Sequence, residues 1–257
     1  MARRRIRPIA HDDRLSIVEH LDELRTRIVI CAVAFGAAWG VTAWQNDLVL
    51  RIVNHPLPRG LEPITLGPAE AFYTTITNAA YFALILSLPV ILYQVYAFLL
   101  PAFSPTERRV ALPLLLLVPV LFITGVVFCY LVVLEPALHF LLNFNADNFN
   151  TQVRARDYYS FITMLMLAMG LGFQIPVGVL AACKLGLTSP AKLRKNRRYA
   201  IVVIAVVASL LPTLDPLTLI LEMIPLIFLY ELSIWLASAL GRPAPEVAER
   251  IASAEGS

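Results

Sequence analysis

Charged residues are scarce in this chain of 257 residues, in which Asp, Glu, Lys and Arg make up 15% and hydrophobic residues 58%. Soluble domains carry about 25% charged residues. A water-facing surface of ordinary polarity cannot be built from so few charges, which excludes an ordinary soluble protein. The composition and the long apolar runs instead predict an all-α, polytopic membrane protein.

Other absences exclude whole classes of function. The cysteines are few, scattered and all inside apolar runs, which excludes a disulfide framework. The four histidines are isolated, without a Cys or carboxylate at metal-ligand spacing, so we predict no metal site and no cofactor. The sequence also lacks G-x-S-x-G, H-E-x-x-H and a Gly-rich phosphate loop. We therefore predict a protein that is not an enzyme and that binds no nucleic acid.

Six apolar stretches are candidates for membrane-spanning helices, each of which needs about 20 mostly apolar residues. They cover residues 28–44, 72–100, 111–134, 157–183, 199–214 and 217–240. The fifth stretch is short, because about 15 residues rise only about 22 Å. We expect it to form a hairpin with the sixth, in thinned membrane. Prolines within the stretches should bend the helices without breaking them.

The distribution of Lys and Arg predicts the orientation. Alternate connecting segments hold 17 of the 21 basic residues on one side and four on the other. By the positive-inside rule both termini are cytoplasmic. This gives a cytoplasmic tail with an amphipathic helix at 1–27, a six-helix membrane domain at 28–240 and a second cytoplasmic tail at 241–257. No apolar core follows the basic start of the chain, so we expect no cleaved signal peptide.

The N-terminal tail contains a helix start. Ser16 and Glu19 form the capping-box pattern, and apolar residues then recur at spacings of four, three and four. The pattern predicts a helix along the cytoplasmic interface that leads into the first span. Glu23 and Arg27, four residues apart, are placed for a surface ion pair. Spacing alone leaves this role of Glu23 and a binding role equally open.

A second acidic helix start follows the second span. Ser104, Pro105 and Glu107 fit a capping box with proline in the first turn, so a cap is the favoured structural role for Glu107. Both acidic starts nevertheless face the cytoplasm near the membrane. Carboxylates there could receive a cationic partner, and they pair with guanidinium in a bidentate geometry that lysine cannot match.

Few ionisable residues lie at membrane depth, where each is a functional candidate by default. Glu222 and Glu231 are in the sixth span, with Glu231 near enough to its cytoplasmic end to reach the interface. Asp215, followed by proline, is better explained as a helix cap. Gln174 precedes Pro176 in the fourth span, where a hydrogen bond to another helix is the structural explanation. The outer segment 45–71, rich in Pro and Gly, should form a stiff cap.

Several motifs, in order, resemble the TatC family, the multispanning subunit of the twin-arginine protein translocase. The resemblance covers about residues 16–240 and is carried by EHLDELRTR at 19–27, LPVILYQ at 88–94, AFLLPA at 97–102, ERR at 107–109, GLTSP at 186–190, LRK at 193–195 and RY at 198–199.

The resemblance implies a receptor for twin-arginine signal peptides in the bacterial cytoplasmic membrane. Such a receptor exports folded proteins with single-span partners of the TatA and TatB type, in an oligomeric complex driven by the proton-motive force. It implies signal-peptide-binding roles for Glu23, Arg25, Phe98, Glu107 and Arg108. It also implies a sensitive outer-loop proline at Pro56, a family acid at Asp215, and docking of the partner helices on the fifth and sixth spans.

One position departs from the family, which often has glutamate where this chain has Gln174. A role that needs a charge or proton uptake at Gln174 is therefore open to doubt, and we hypothesise that Glu222 supplies the missing acid.

Two other functions compete with the translocase. The first is a secondary transporter or channel that uses Glu222, Glu231 and Gln174, although the internal repeat common in transporters is absent. The second is a purely structural scaffold for other membrane subunits.

Overall fold

A computed structural model describes residues 17–58, 60–99, 105–148, 151–184, 187–209 and 215–239. These residues are almost entirely helical, with one isolated β-bridge and no longer strand. The helices are α1 (Ile17–Trp44), α2 (Asn46–Asn54), α3 (Glu70–Leu99), α4 (Pro105–Phe128), α5 (Leu134–Asn143), α6 (Ala155–Gly172), α7 (Ile175–Lys184), α8 (Pro190–Lys195), α9 (Arg197–Ser209) and α10 (Pro216–Ala239). The predicted all-α class is confirmed.

Five stretches of the described helices are long and apolar enough to cross a membrane. They are Leu21–Trp44, Glu70–Phe98, Leu115–Asn143, Ala155–Cys183 and Pro216–Ala239. The predicted fifth span corresponds to α9, whose 13 described residues rise about 20 Å. Residues 210–214, which complete that predicted span, lie outside the described residues.

The helix of the third span extends farther than the sequence predicts. We expected a connecting segment from residue 135 onward, yet the helix continues through a π-turn at Cys129–Val133 into α5, which ends at Asn143. Pro136 explains the π-turn, because its ring would clash with the carbonyl four residues earlier, at Val132. The wider turn accommodates the proline while the helix continues.

The fourth span is interrupted by a short turn before its proline. Helix α6 ends at Gly172, a turn occupies Phe173 and Gln174, and α7 then begins at Ile175. Pro176 cannot donate a hydrogen bond to the Gly172 carbonyl, which leaves the helical hydrogen-bond ladder interrupted there. By contrast, α3 continues through Pro89 and α10 through Pro225, as expected.

Close helix contacts build the core between α4, α6 and α10. A Cβ atom on Gly125 would lie 2.7 Å from the Met169 backbone oxygen, and one on Gly172 would lie 2.5 Å from Leu226 Cδ2. Glycine at these positions lets the helices approach closely, as small residues do in membrane proteins. Helix α1 lies at the edge of this core and packs mainly against α3, where the Thr42 hydroxyl donates to the Ala79 carbonyl at 2.8 Å.

The segment between α1 and α3 covers one end of the molecule. It begins with α2, a helix that its Pro and Gly content does not indicate. Tyrosine hydroxyls from two other helices donate to the last turn of α2, Tyr130 to the Ile52 carbonyl and Tyr158 to the Val53 carbonyl, both at 2.8 Å. Pro56 follows α2 and is half-buried. These bonds attach the segment to the helices beneath it.

Candidate functional site

The predicted ion pair between Glu23 and Arg27 is present. Glu23 Oε1 accepts from Arg27 Nη2 at 2.5 Å and from Nε at 3.1 Å. The same guanidinium donates through Nη1 to Gln94 Oε1, at 2.9 Å, on α3. Both charged side chains are partly shielded, with exposed fractions of 20% for Arg27 and 28% for Glu23. Arg27 thus connects the acid of α1 to the last turns of α3.

Other residues of the predicted peptide site lie near this pair. Arg25 is exposed on α1, and Phe98 is half-buried in the last turn of α3. An open groove of about 490 Å³ follows one side of α1, lined by Asp22, Glu23, Arg25, Thr26, Val29 and Ile30. The groove has acidic and basic groups at one end and apolar side chains at the other.

Glu107 and Arg108 belong to the first described turns of α4, and Ser104, the predicted cap, lies outside the described residues. Their side chains lie outside the part of the chain that the structure describes. The backbone still gives their position along the fold. Helix α3 ends at Leu99 and packs against α4, which starts six residues later, so α4 begins at the end of the molecule that carries Glu23 and Gln94.

Gln174 occupies the turn between α6 and α7. Its buried Nε2 donates to the Val118 carbonyl on α4 at 3.1 Å, which confirms the expected hydrogen bond to another helix. Its Oε1 is also buried and accepts no hydrogen bond from any described residue. The amide therefore retains acceptor capacity at the break in the fourth span.

Asp215 and Glu222 are both buried in the packed helices, with exposed fractions of 8% and 0%. Asp215 is the predicted cap, since its Oδ1 accepts from the Thr218 backbone nitrogen at 2.8 Å. Glu222, two turns along the same helix, lies within electrostatic range of the Cys129 sulfur in the π-turn.

The positions of Gln174 and Glu222 differ in depth. Gln174 meets α4 at Val118, and Cys129 is 11 residues farther along the same continuous helix. That separation corresponds to about 16 Å. The hypothesis that Glu222 supplies the acid that Gln174 lacks stays a prediction.

Glu231 lies at the other end of α10, where Arg197 Nη2 donates to its Oε2 at 2.7 Å. Both side chains are about half exposed. Arg197 is the first residue of α9 and belongs to the basic segment at 184–198, and the expectation that Glu231 reaches the interface stays a prediction.

Sequence reasoning missed an ion pair at the opposite end of the molecule. Arg154 Nε donates to Glu70 Oε1 at 2.6 Å, and Glu70 Oε2 accepts from the Leu66 backbone nitrogen. The hydrogen bond from Arg154 to Glu70 raises the pKa of the guanidinium. Two hydrogen bonds between the backbones of Ile64 and residues 153–155 lie beside the pair. Glu70 and Arg154 are 84 positions apart, so no spacing pattern in the sequence could have indicated this ion pair.

These observations define a class of protein: a polytopic α-helical membrane protein with an acidic, arginine-bearing groove at the end where α1 starts and α3 ends. A sequence profile of the family described as Sec-independent protein translocase protein (TatC) matches residues 19–225, more than half of the chain. The chain belongs to the TatC family. TatC proteins are components of a protein translocase, not enzymes.

Similar proteins come from bacteria and chloroplasts. The chain is 36% identical to the Sec-independent protein translocase protein TatC of Escherichia coli strain K12, over 87% of this chain and 88% of that protein. It is 34% identical to TatC of Aquifex aeolicus strain VF5, over 91% of this chain and 99% of that protein. The chloroplastic TATC of Pisum sativum is 36% identical over 90% of this chain, which spans 66% of that relative's length.

The fold matches solved structures of the same family. A crystal structure of the twin-arginine translocase receptor TatC in DDM superposes with a TM-score of 0.75 and 35% identity. The match covers 85% of this chain and 99% of that one. The family and the fold favour a translocase subunit over the alternative of a secondary transporter or channel.

Proposed function

We propose that this protein is the receptor and core subunit of a twin-arginine translocase. It binds twin-arginine signal peptides of folded cargo and exports that cargo with single-span partners of the TatA and TatB type, driven by the proton-motive force. We place it in a bacterial cytoplasmic membrane with both termini in the cytoplasm. The distribution of basic residues supports this orientation.

The geometry of Glu23 is the observation that carries the proposal. Its carboxylate already accepts two hydrogen bonds from a guanidinium, that of Arg27. An arginine side chain from a signal peptide offers the same group and the same planar donor pattern. Lysine offers only a point charge on a flexible stem, so a site built for guanidinium discriminates against it.

The backbone supports a two-acid site. Glu107 lies in the first turns of α4, at the end of the fold that carries Glu23, and two acids at one end suit two arginines in one peptide. Arg25, Arg108 and Phe98 then belong to the rim and the apolar part of the peptide site. The groove that continues to Val29 and Ile30 gives the apolar segment of a signal peptide a surface along α1.

A cross-linking experiment tests the proposal. A photoreactive residue in a signal peptide, beside either an Arg-Arg or a Lys-Lys pair, is combined with chains that carry Glu23→Gln, Glu107→Gln or both. We expect the double variant to lose about tenfold or more of the Arg-Arg cross-link, because charge-assisted hydrogen bonds contribute about 1.5–3 kcal/mol each. Membrane insertion should be unchanged.

Glu135→Gln is the matched control, since Glu135 is an exposed acid in the first turn of α5, away from the groove. Equal cross-linking by the double variant and the control would reject the signal-binding role. It would leave the scaffold alternative, which predicts that Glu23 and Glu107 variants assemble and export normally.

A further inference from the structure

A pocket of about 650 Å³ lies between α3 and α6, at the end of the molecule opposite Glu23. It extends along α3 from Glu70 past Asn78 to Tyr81. Glu70 and Asn78 are eight residues apart, which corresponds to about 12 Å along the helix. The pocket therefore runs for about 12 Å along α3.

Two side chains deep in this pocket have unsatisfied polar atoms. Asn78 is 1% exposed, and neither its amide nitrogen nor its amide oxygen hydrogen-bonds to a described residue. Thr74, one turn nearer the rim, is 8% exposed, and its hydroxyl also lacks a partner among the described residues. Buried polar groups without partners are costly, so such groups usually serve a ligand or bound water.

The rim of the pocket is charged. Arg154 and Glu70 form the ion pair there, with the exposed Arg156 beside it. Within the described residues, Arg156 enters no ion pair. Arg154 lies between two carboxylates, since Asp157 Oδ2 is 4.0 Å from its Nη1, so among the described residues Arg156 is the unpaired cation that the rim offers to a phosphodiester.

The order of groups along the pocket resembles the order of groups in a phospholipid. The arginines lie at the level where the apolar part of α3 begins, and the hydroxyl of Thr74 and the amide of Asn78 lie farther along the helix. Tyrosine rings line the walls of the pocket. Tyrosine is typical of the membrane–water interface. A lipid places its phosphate at the same level and its glycerol esters, which are hydrogen-bond acceptors, below it.

We propose that this pocket is a binding site for one phospholipid of the leaflet opposite the Glu23 end. Arg156 and Arg154 hold the phosphodiester, and the Thr74 hydroxyl and the Asn78 amide donate to the glycerol ester oxygens. The exposed side of α3, where Tyr73 is 67% accessible, gives an acyl chain a path to the bilayer. This site is independent of the signal-peptide site.

The test uses the purified full chain, stripped of lipid in detergent and then supplied with phosphatidylglycerol. We expect one tightly retained lipid per chain by native mass spectrometry and a saturable rise in Tm. Arg156→Gln should weaken this binding about tenfold, as expected for one charge-assisted hydrogen bond. Arg156→Lys should restore part of the loss, and Asn78→Leu should weaken binding without lowering the Tm of the lipid-free chain.

Arg51→Gln is the control, because Arg51 is an exposed arginine on α2 outside the pocket. Inorganic phosphate and diacylglycerol are tested separately, to distinguish a free anion from a lipid. Equal lipid retention by Arg156→Gln, Asn78→Leu and Arg51→Gln would overturn the proposal. A full rise in Tm with inorganic phosphate alone would overturn it as well. Since Arg156 is exposed, its variants remain informative even if Asn78→Leu does not fold.

Discussion

Arg27 holds the Glu23 carboxylate through two hydrogen bonds to one oxygen, Nη2 at 2.5 Å and Nε at 3.1 Å from Oε1. A guanidinium arriving from a signal peptide meets an acid that is already engaged. Under the proposed function it must share or replace Arg27. Arg27 therefore joins α1 to α3 through Gln94 and is also an internal competitor for the ligand.

Removal of this competitor gives the first prediction. We expect Arg27→Gln to tighten binding of a twin-arginine peptide by about tenfold, because the competing guanidinium and its two hydrogen bonds to Glu23, together about 1.5 kcal/mol of net competition, are lost. Fluorescence anisotropy with a labelled peptide and the chain in nanodiscs measures the effect, with Arg51→Gln as the control. Weaker binding by Arg27→Gln would contradict competition and would assign Arg27 to orienting Glu23.

Glycine packing gives the second prediction. A methyl group on Gly125 would lie 2.7 Å from the Met169 backbone oxygen, which cannot move away as a flexible side chain can. We expect Gly125→Ala to destabilise the fold by about 1–3 kcal/mol, the usual cost of overpacking. Thermal unfolding in detergent measures this. Gly36→Ala is the matched control, with nothing within 4 Å of its Cβ position, and similar losses in both variants would refute the packing argument.

Substitutions at Asp215 can distinguish its role as a helix cap from a role of its negative charge. Asp215→Ala removes the acceptor for the Thr218 backbone nitrogen and should cost about 1 kcal/mol of stability. Asp215→Asn retains a capping oxygen and should keep nearly the wild-type Tm. If export of a folded reporter fails in Asp215→Asn while the Tm is preserved, the carboxylate has a role beyond the cap. Normal export in that variant would restrict Asp215 to structure.

The buried acid of α10 gives the fourth prediction. We expect Glu222→Gln to lower export of a folded Tat reporter without loss of membrane insertion, because amide chemistry cannot supply a proton or a charge. If Glu222 supplies the acid that Gln174 lacks, Gln174→Glu in the same chain should restore part of the export. Glu231→Gln, at an exposed ion pair with Arg197, is the control. Normal export and normal partner assembly of the Glu222→Gln variant would refute the hypothesis.

Much of the fold could be predicted from local patterns. Apolar runs indicate the long helices, and the capping pattern at Asp215 places the start of α10 where the structure has it. These features depend on residues that are close together in the sequence, so a single sequence is enough to predict them. The ion pair between Glu23 and Arg27 is predictable for the same reason.

The remaining features depend on packing between distant segments. The π-turn and the break before Pro176 show that a proline's effect depends on whether adjacent turns can widen or end. The contact of Arg27 with Gln94 and that of Arg154 with Glu70 join segments far apart in sequence. Asn78 has no unusual sequence context, and only its burial beside a pocket draws attention to it.

The ion pair between Glu70 and Arg154 also has a consequence for biogenesis. The two residues are 84 positions apart, so Glu70 enters the membrane well before the ribosome has made its partner. Until then α1 and α3 must persist in the bilayer on their own apolar surfaces. The pocket between α3 and α6 forms only after α6 has been inserted into the membrane. This end of the molecule therefore assembles only when two thirds of the chain has been inserted.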